Sequence, residues 1–249
     1  MSNQRVLYDK EFKFISTDKL ADLNEAIIKH TIDRMEFYKG LFDVEELHKL
    51  TFIMFDNLEE FREDYRLRCH REPPEYSRGC FNFDVSRVVI DEVPSVFSDK
   101  FYKTRASNAH EAFHIFYRDL CYKTYERRIV WFDEGMATFF SGEMDHYTEE
   151  QLEKRYYKVK DEYKCIDNLN ERVQGNSSVS DDKIFSRKGV ISGYELSFFA
   201  IKYLYESEGL DYIKDIMRDN NKILDLGNTI ISDMFSYYDK KYGCSDKKL

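Results

Sequence analysis

Residues 110 to 114 read His110-Glu111-Ala112-Phe113-His114. In a helix of about 3.6 residues per turn, His110 and His114 stand one turn apart on one face. Two imidazoles stacked in this way can reach a single cation at roughly 2.0–2.1 Å, the bond length zinc takes with nitrogen. Glu111 points about 100° away around the helix, where its carboxylate can hydrogen-bond a metal-held water without ligating the metal. Five residues thus offer two ligands and a base for metal-assisted hydrolysis. A core-facing helix with two internally bonded histidines has the same short pattern, so the flanks must decide. Ala106, Ala109, Ala112, Phe113, Phe116 and Leu120 recur at helical spacing and form a stripe that can pack on a core. His110, His114, Tyr117 and Cys121 form the neighbouring stripe, which leaves the histidines at the edge of the apolar face.

A catalytic zinc needs a third protein ligand and an open fourth position. After His114 the chain reaches Trp131-Phe132-Asp133-Glu134-Gly135-Met136-Ala137-Thr138. Apolar residues at 132, 136, 139 and 140 predict a second helix, with Asp133 and Glu134 in a first turn whose dipole suits acids. Glu134 then lies at the start of a helix that can lie against the first, and Gly135 removes a side chain where two helices approach closely. Asp133 faces elsewhere on the turn, and His146 stands at the far end of that helix. The metzincin pattern fails, because Tyr117 stands where it needs Gly and Leu120 where it needs His.

HEAFH, a gap of nineteen residues and then the glutamate of WFDEGMATFF resemble the gluzincins, the zinc peptidases that include thermolysin and the leukotriene-hydrolase-type aminopeptidases. The shared pattern is HExxH followed by Trp-x-x-Glu-Gly-x-Ala. The resemblance implies that His110, His114 and Glu134 ligate one zinc ion and that Glu111 is the general base. It implies an α+β, zincin-like fold, in which a small N-terminal mixed sheet with helices packs against a mostly helical C-terminal lobe. Residues 1–249 would form one catalytic domain, with lobes of about 1–125 and 126–249. Gluzincins place an edge strand over the cleft, where a peptide adds as a further strand. Gly79, Cys80 and Phe81 match that role by order along the chain, as does an ordinary edge strand. The aminopeptidase branch carries Gly-x-Met-Glu-Asn near there and this chain does not, which favours an endopeptidase. Tyr194-Glu195 opens YELSFFAIKYLYESEG, similar to the helix whose tyrosine donates to the oxyanion in the aminopeptidase group; the family's following glycine is Ser197 here. Asp133 and Thr138, the latter one turn after Glu134, are candidates to orient the ligands from behind.

The remaining elements follow from periodicity. Residues 17 to 40 predict an amphipathic helix, with Thr17 as its cap and His30 on its surface. His48 falls in a polar connection. Leu50 to Phe55 predicts a buried strand, and Asp56-Asn57 caps a helix over 58 to 67. Residues 68 to 78, with Pro73-Pro74, predict a loop. Residues 79–83 and 87–90 predict a hairpin around Asp84-Val85-Ser86. Either Ser98 or Thr104 starts the helix that carries His110. Residues 147 to 169 predict a helix, 170 to 189 a loop, and Ser192 with Glu195 a capping box. Residues 210 to 242 predict two more amphipathic helices.

A chain of 249 residues, 42% hydrophobic and 16% aromatic, can bury a sizeable core. Its net charge of −9, spread along the length, argues against nucleic acid or an anionic membrane as partner. No apolar run approaches membrane-spanning or signal-peptide length. The five cysteines show no CxxC spacing and fit reduced thiols, so the expected location is cytoplasmic. The expected partner is a peptide or protein substrate. A zinc-bound binding or regulatory module with little turnover is the alternative, and a metal-free helical domain a third reading.

Overall fold

Short apolar runs stand between charged residues at the start of the chain, and there the first two strands form. A computed structural model describes residues 4–73, 78–123, 128–163, 168–170 and 193–243, with the backbone alone at Asp9. The fold is α+β, with a mixed sheet towards the N-terminus and helices in the C-terminal part. The chain divides into two compact units, Met1–Tyr117 with Phe140–His146, and Arg118–Phe139 with Tyr147–Leu249.

Among the described residues of the first unit, five strands lie in the order β1-β2-β3-β5-β4. β1 (Gln4–Asp9) and β2 (Lys13–Thr17) are an antiparallel hairpin. β3 (Thr51–Phe55) runs parallel to β2 and to β5 (Val85–Val89), and β4 (Gly79–Asn82) closes the sheet antiparallel to β5. The predicted turn at Asp84-Val85-Ser86 is shorter than expected, because Val85 and Ser86 already pair with Asn82 and Phe81. β4 is the outermost strand, with β5 as its one strand neighbour in the order.

Alternation assigns the two faces of this sheet. Arg87 of β5 pairs with Asp64, while Cys80 of β4 packs with Phe55, Phe61, Tyr65 and Val89. That face belongs to α2 (Leu58–Cys69), capped by the Asn57 side chain, which accepts from the Glu59 and Glu60 amides. Gly79, Phe81, Ser86 and Val88 alternate to the other face, against α3 (Asp99–Tyr117). α1 (Ala21–Phe42) backs α3: Tyr38 donates to the Ala109 carbonyl at 3.1 Å and sets its ring on Phe113. Thr17 does not cap α1. Its hydroxyl donates to Asp56 at 2.7 Å, and a 3-10 turn leads into the helix instead. Nor is His30 a surface residue: it is half-buried, with Nε2 2.7 Å from the Ser141 carbonyl.

The second unit is helical where it is described. It contains α4 (Val130–Ser141) up to Phe139, then α5 (Glu149–Tyr163) and α6 (Gly193–Ser207). Three short helices follow, α7 (Leu210–Ile216), α8 (Asn220–Gly227) and α9 (Ile230–Gly243), where two were expected. The extra break lies at Asp219, whose side chain caps α8 by accepting from the Asn221 and Lys222 amides. Tyr156, Phe199 and Tyr238 are buried together at the centre, with ring centroids 5.2 to 5.8 Å apart. Ser192 of the expected capping box and nearly all of the 170–189 loop lie outside the described residues. Cys69, Cys80 and Cys121 are free thiols. Among the described residues no helix is long and apolar enough to cross a membrane.

Candidate metal centre

α3 starts at Ser98, whose hydroxyl accepts the Phe101 amide at 3.1 Å, and not at Thr104. Ala106, Ala109, Ala112, Phe113 and Phe116 are fully buried, so the helix is pinned along the predicted stripe. The pinning fixes the rotation of the neighbouring face. His110 is 9% exposed and His114 3%, one turn apart, with ring centroids separated by 4.8 Å. After Tyr117 the helix loosens into a π turn, Arg118–Tyr122. Single π turns of this kind often lie beside functional residues.

β4 lies along α3 in the same direction. Phe81 stacks on the His114 imidazole, with centroids 5.5 Å apart and planes at 25°. Two residues earlier, Gly79 abuts Glu111: a Cβ there would stand 3.1 Å from the Glu111 Cδ. Of the three β4 residues expected to meet a substrate, Gly79 and Phe81 face α3. Cys80 turns its side chain to the α2 face. Burial, and next the nearby Glu111 carboxylate, raise the Cys80 thiol pKa, so it stays protonated at neutral pH.

A carboxylate that the sequence reading did not single out completes this side. Glu143 Oε1 lies 2.7 Å from His110 Nδ1. The chain turns at Gly142 with φ +79, where a side chain would collide with Arg34, and Arg34 pairs with Asp145 just beyond. That turn carries Glu143 back to α3. His146, the rival ligand, points instead to the start of α3: its Nε2 is 3.2 Å from Asp99 Oδ1 and its ring stacks on Tyr102.

Within the second unit, Glu134 is 8% exposed in the first turn of α4. The Arg128 guanidinium donates to both Glu134 and the fully buried Asp133, so Asp133 bears on Glu134 through that cation. Thr138 is buried one turn further on. Gly135 does mark a close approach of two helices, but its partner is α6. A Cβ on Gly135 would stand 2.6 Å from the Ser197 carbonyl oxygen and 2.9 Å from Ile201 Cγ1. Ser197 is therefore a small residue at a close helix crossing. Tyr194, half-buried in the first turn of α6, precedes that crossing by one turn.

In the first unit His110 and His114 present two largely buried imidazoles from one face of α3, and in the second unit Glu134 presents a largely buried carboxylate at the start of α4. Two imidazole nitrogens and one carboxylate oxygen, largely withdrawn from water, are a donor set that suits zinc. Glu143 and Arg128 escaped sequence reasoning because neither stands at a helical interval from its partner.

No family model matches the chain, and no curated protein matches it. Its fold is similar to the crystal structure of an aminopeptidase N family protein from Idiomarina loihiensis, with a TM-score of 0.52 at 11% identity, over 96% of this chain and 44% of that one. The chain thus spans less than half of that structure's length, and at this identity the likeness is one of fold alone.

Proposed function

We propose that this chain is a zinc-dependent metallopeptidase in which His110, His114 and Glu134 hold one zinc ion and Glu111 is the general base. The observation that carries the reading is the pair of buried imidazoles one turn apart on α3, with ring centroids 4.8 Å apart, beside a glutamate buried at the start of α4 within its own unit. Three protein donors leave one position for water or substrate, as catalytic zinc requires. The Glu143 carboxylate at His110 Nδ1 adds support, since it favours the tautomer whose Nε2 lone pair points away to a metal.

Bound zinc would polarise the scissile carbonyl and lower the pKa of a water from 15.7 to about 7. Glu111 takes the proton of the attacking water on its carboxylate and delivers it to the leaving amine. The Tyr194 phenol donates to the oxyanion that develops on the carbonyl oxygen. The outermost strand β4 receives the substrate peptide as a further strand, with main-chain hydrogen bonds for affinity. The proposed substrate is an internal peptide bond. No residue of β4, Gly79-Cys80-Phe81-Asn82, carries an acid to hold a free α-ammonium group. The net charge of −9 favours a peptide or protein over nucleic acid or an anionic bilayer.

Zinc content and hydrolysis of an internally quenched peptide library test the reading together. Wild type and Glu111→Gln should each carry zinc, Glu134→Ala far less, and wild type alone should cleave. Equal metal in Glu134→Ala, or cleavage by Glu111→Gln, would falsify the assignment. A zinc-loaded wild type that cleaves nothing supports the binding-module alternative.

A further inference from the structure

Glycine in a strand weakens it, and commonly marks a place where another group comes close. Gly79 opens β4, and what comes close is the residue proposed as the base. A Cβ built on Gly79 overlaps Glu111 Oε1 and stands 3.1 Å from Cδ and 3.5 Å from Cγ. The three nearest atoms all belong to the Glu111 side chain. Gly135 is the contrast, since there the nearest atoms include the backbone carbonyl of Ser197, and a helix must move. At Gly79 the obstacle is the end of a flexible side chain, which can swing away while the sheet stays in place.

We propose that Gly79 is a positioning residue: its bare Cα is the seat of the Glu111 carboxylate, and any side chain at 79 evicts it. Phe81 already lies on His114, so the site face of β4 is filled on one side of Glu111 and open to it only at Gly79. The strand proposed to receive the peptide would thereby also set the height of the base above it. The catalytic consequence rests on the metallopeptidase reading; the seat itself rests on packing alone.

The test is a thermal-unfolding cycle on the full-length protein, with wild type, Gly79→Ala, Glu111→Ala and the double variant. Zinc content, kcat and KM are measured on the same samples. Removal of the Glu111 side chain should abolish the penalty of Gly79→Ala, so the midpoints should depart from additivity by about 3 °C or more. Gly79→Ala should keep its zinc and its KM and lose about 100-fold or more in kcat, the scale of a lost general base. Additive midpoints overturn the proposal whatever the activity. So does an active wild type beside a Gly79→Ala variant of undiminished kcat. Non-additive midpoints with no hydrolysis by wild type leave the seat standing and refute the peptidase reading instead.

Discussion

Glu143 offers the sharpest measurement of the proposed metal site. Its carboxylate oxygen is 2.7 Å from His110 Nδ1, and the two side chains are 19% and 11% exposed. An ion pair in open water contributes about 0–1 kcal/mol, at most about five-fold in an equilibrium. This contact is largely withdrawn from water, where attraction between charged groups is screened less than at the surface. The larger range for a carboxylate behind a metal-bound imidazole therefore applies, about 10–100-fold in metal affinity. Glu143→Gln keeps the shape and an acceptor oxygen and removes the charge, so it should weaken zinc by about 10-fold, or about 1.4 kcal/mol. Glu143→Ala removes both and should approach the upper figure. Asp33→Asn is the control: it removes the same unit of charge from an exposed carboxylate paired with Lys29, and should leave affinity within about two-fold. Competition against a chromophoric chelator at fixed pH reads all three, with circular dichroism to verify folding. If the folded Glu143 variants hold zinc as tightly as the control does, the carboxylate has no part in fixing His110.

Two glycines in helices should respond oppositely to alanine. Gly40 lies exposed in the last turn of α1 with nothing within 4 Å of an added Cβ, so Gly40→Ala should stabilise by about 0.5–1 kcal/mol. Gly135→Ala gains the same intrinsic preference but meets the Ser197 carbonyl, and overpacking of about 1–3 kcal/mol should make it neutral to destabilising. Thermal midpoints read both, at about 2–4 °C per kcal/mol for a chain of this size. A rise at Gly135 equal to that at Gly40 would contradict the tight crossing. His30 makes stability depend on pH. Burial lowers its pKa, and Arg105 and Arg34 add to that; the Ser141 carbonyl and Asp145 oppose it. The unfolded chain then takes up this proton first, so stability is lost as pH falls from about 6.5 towards the folded value. Urea midpoints at pH 7.5 and 5.5 should differ less for His30→Gln than for wild type, and equal changes would exclude His30 as a source.

What was legible in the sequence was local. His110, Glu111 and His114 share one helix, and the alanine-phenylalanine stripe beside them sets which face turns outward. The first turn of α4 was legible for the same reason. Gly135 announced a close approach but could not name its partner, because spacing along α4 carries no information about α6. Glu143 reaches His110 through a turn at Gly142 whose direction depends on Arg34 and Asp145 in three dimensions. The β1–β2 hairpin lacks the Asn-Gly or Asp-Gly signal of a tight turn, and its strands are laced with charges. Thr17 looked like a cap because threonine is a common one, yet Asp56, distant in sequence, claims its hydroxyl.

The site face of β4 is set from behind. A strand's side chains alternate, so a slip of one residue would exchange Gly79 and Phe81 for Cys80 and Asn82 beneath α3. Nothing on the α3 side alone forbids this, since Phe81 could as well be replaced by another side chain over His114. The α2 side does forbid it. Cys80 fits among Phe55, Phe61, Tyr65 and Val89, and the Asn82 amide donates to Cys69 at 3.3 Å. Arg87, directly across from Cys80, is held by Asp64 at 3% exposure. Moving β4 by one residue would bring Phe81 against that cluster and break the Asn82–Cys69 hydrogen bond. The placement of Gly79 under Glu111 is thus fixed by residues on the opposite face of the sheet, and the register of one short strand carries that constraint from the α2 core to the proposed base.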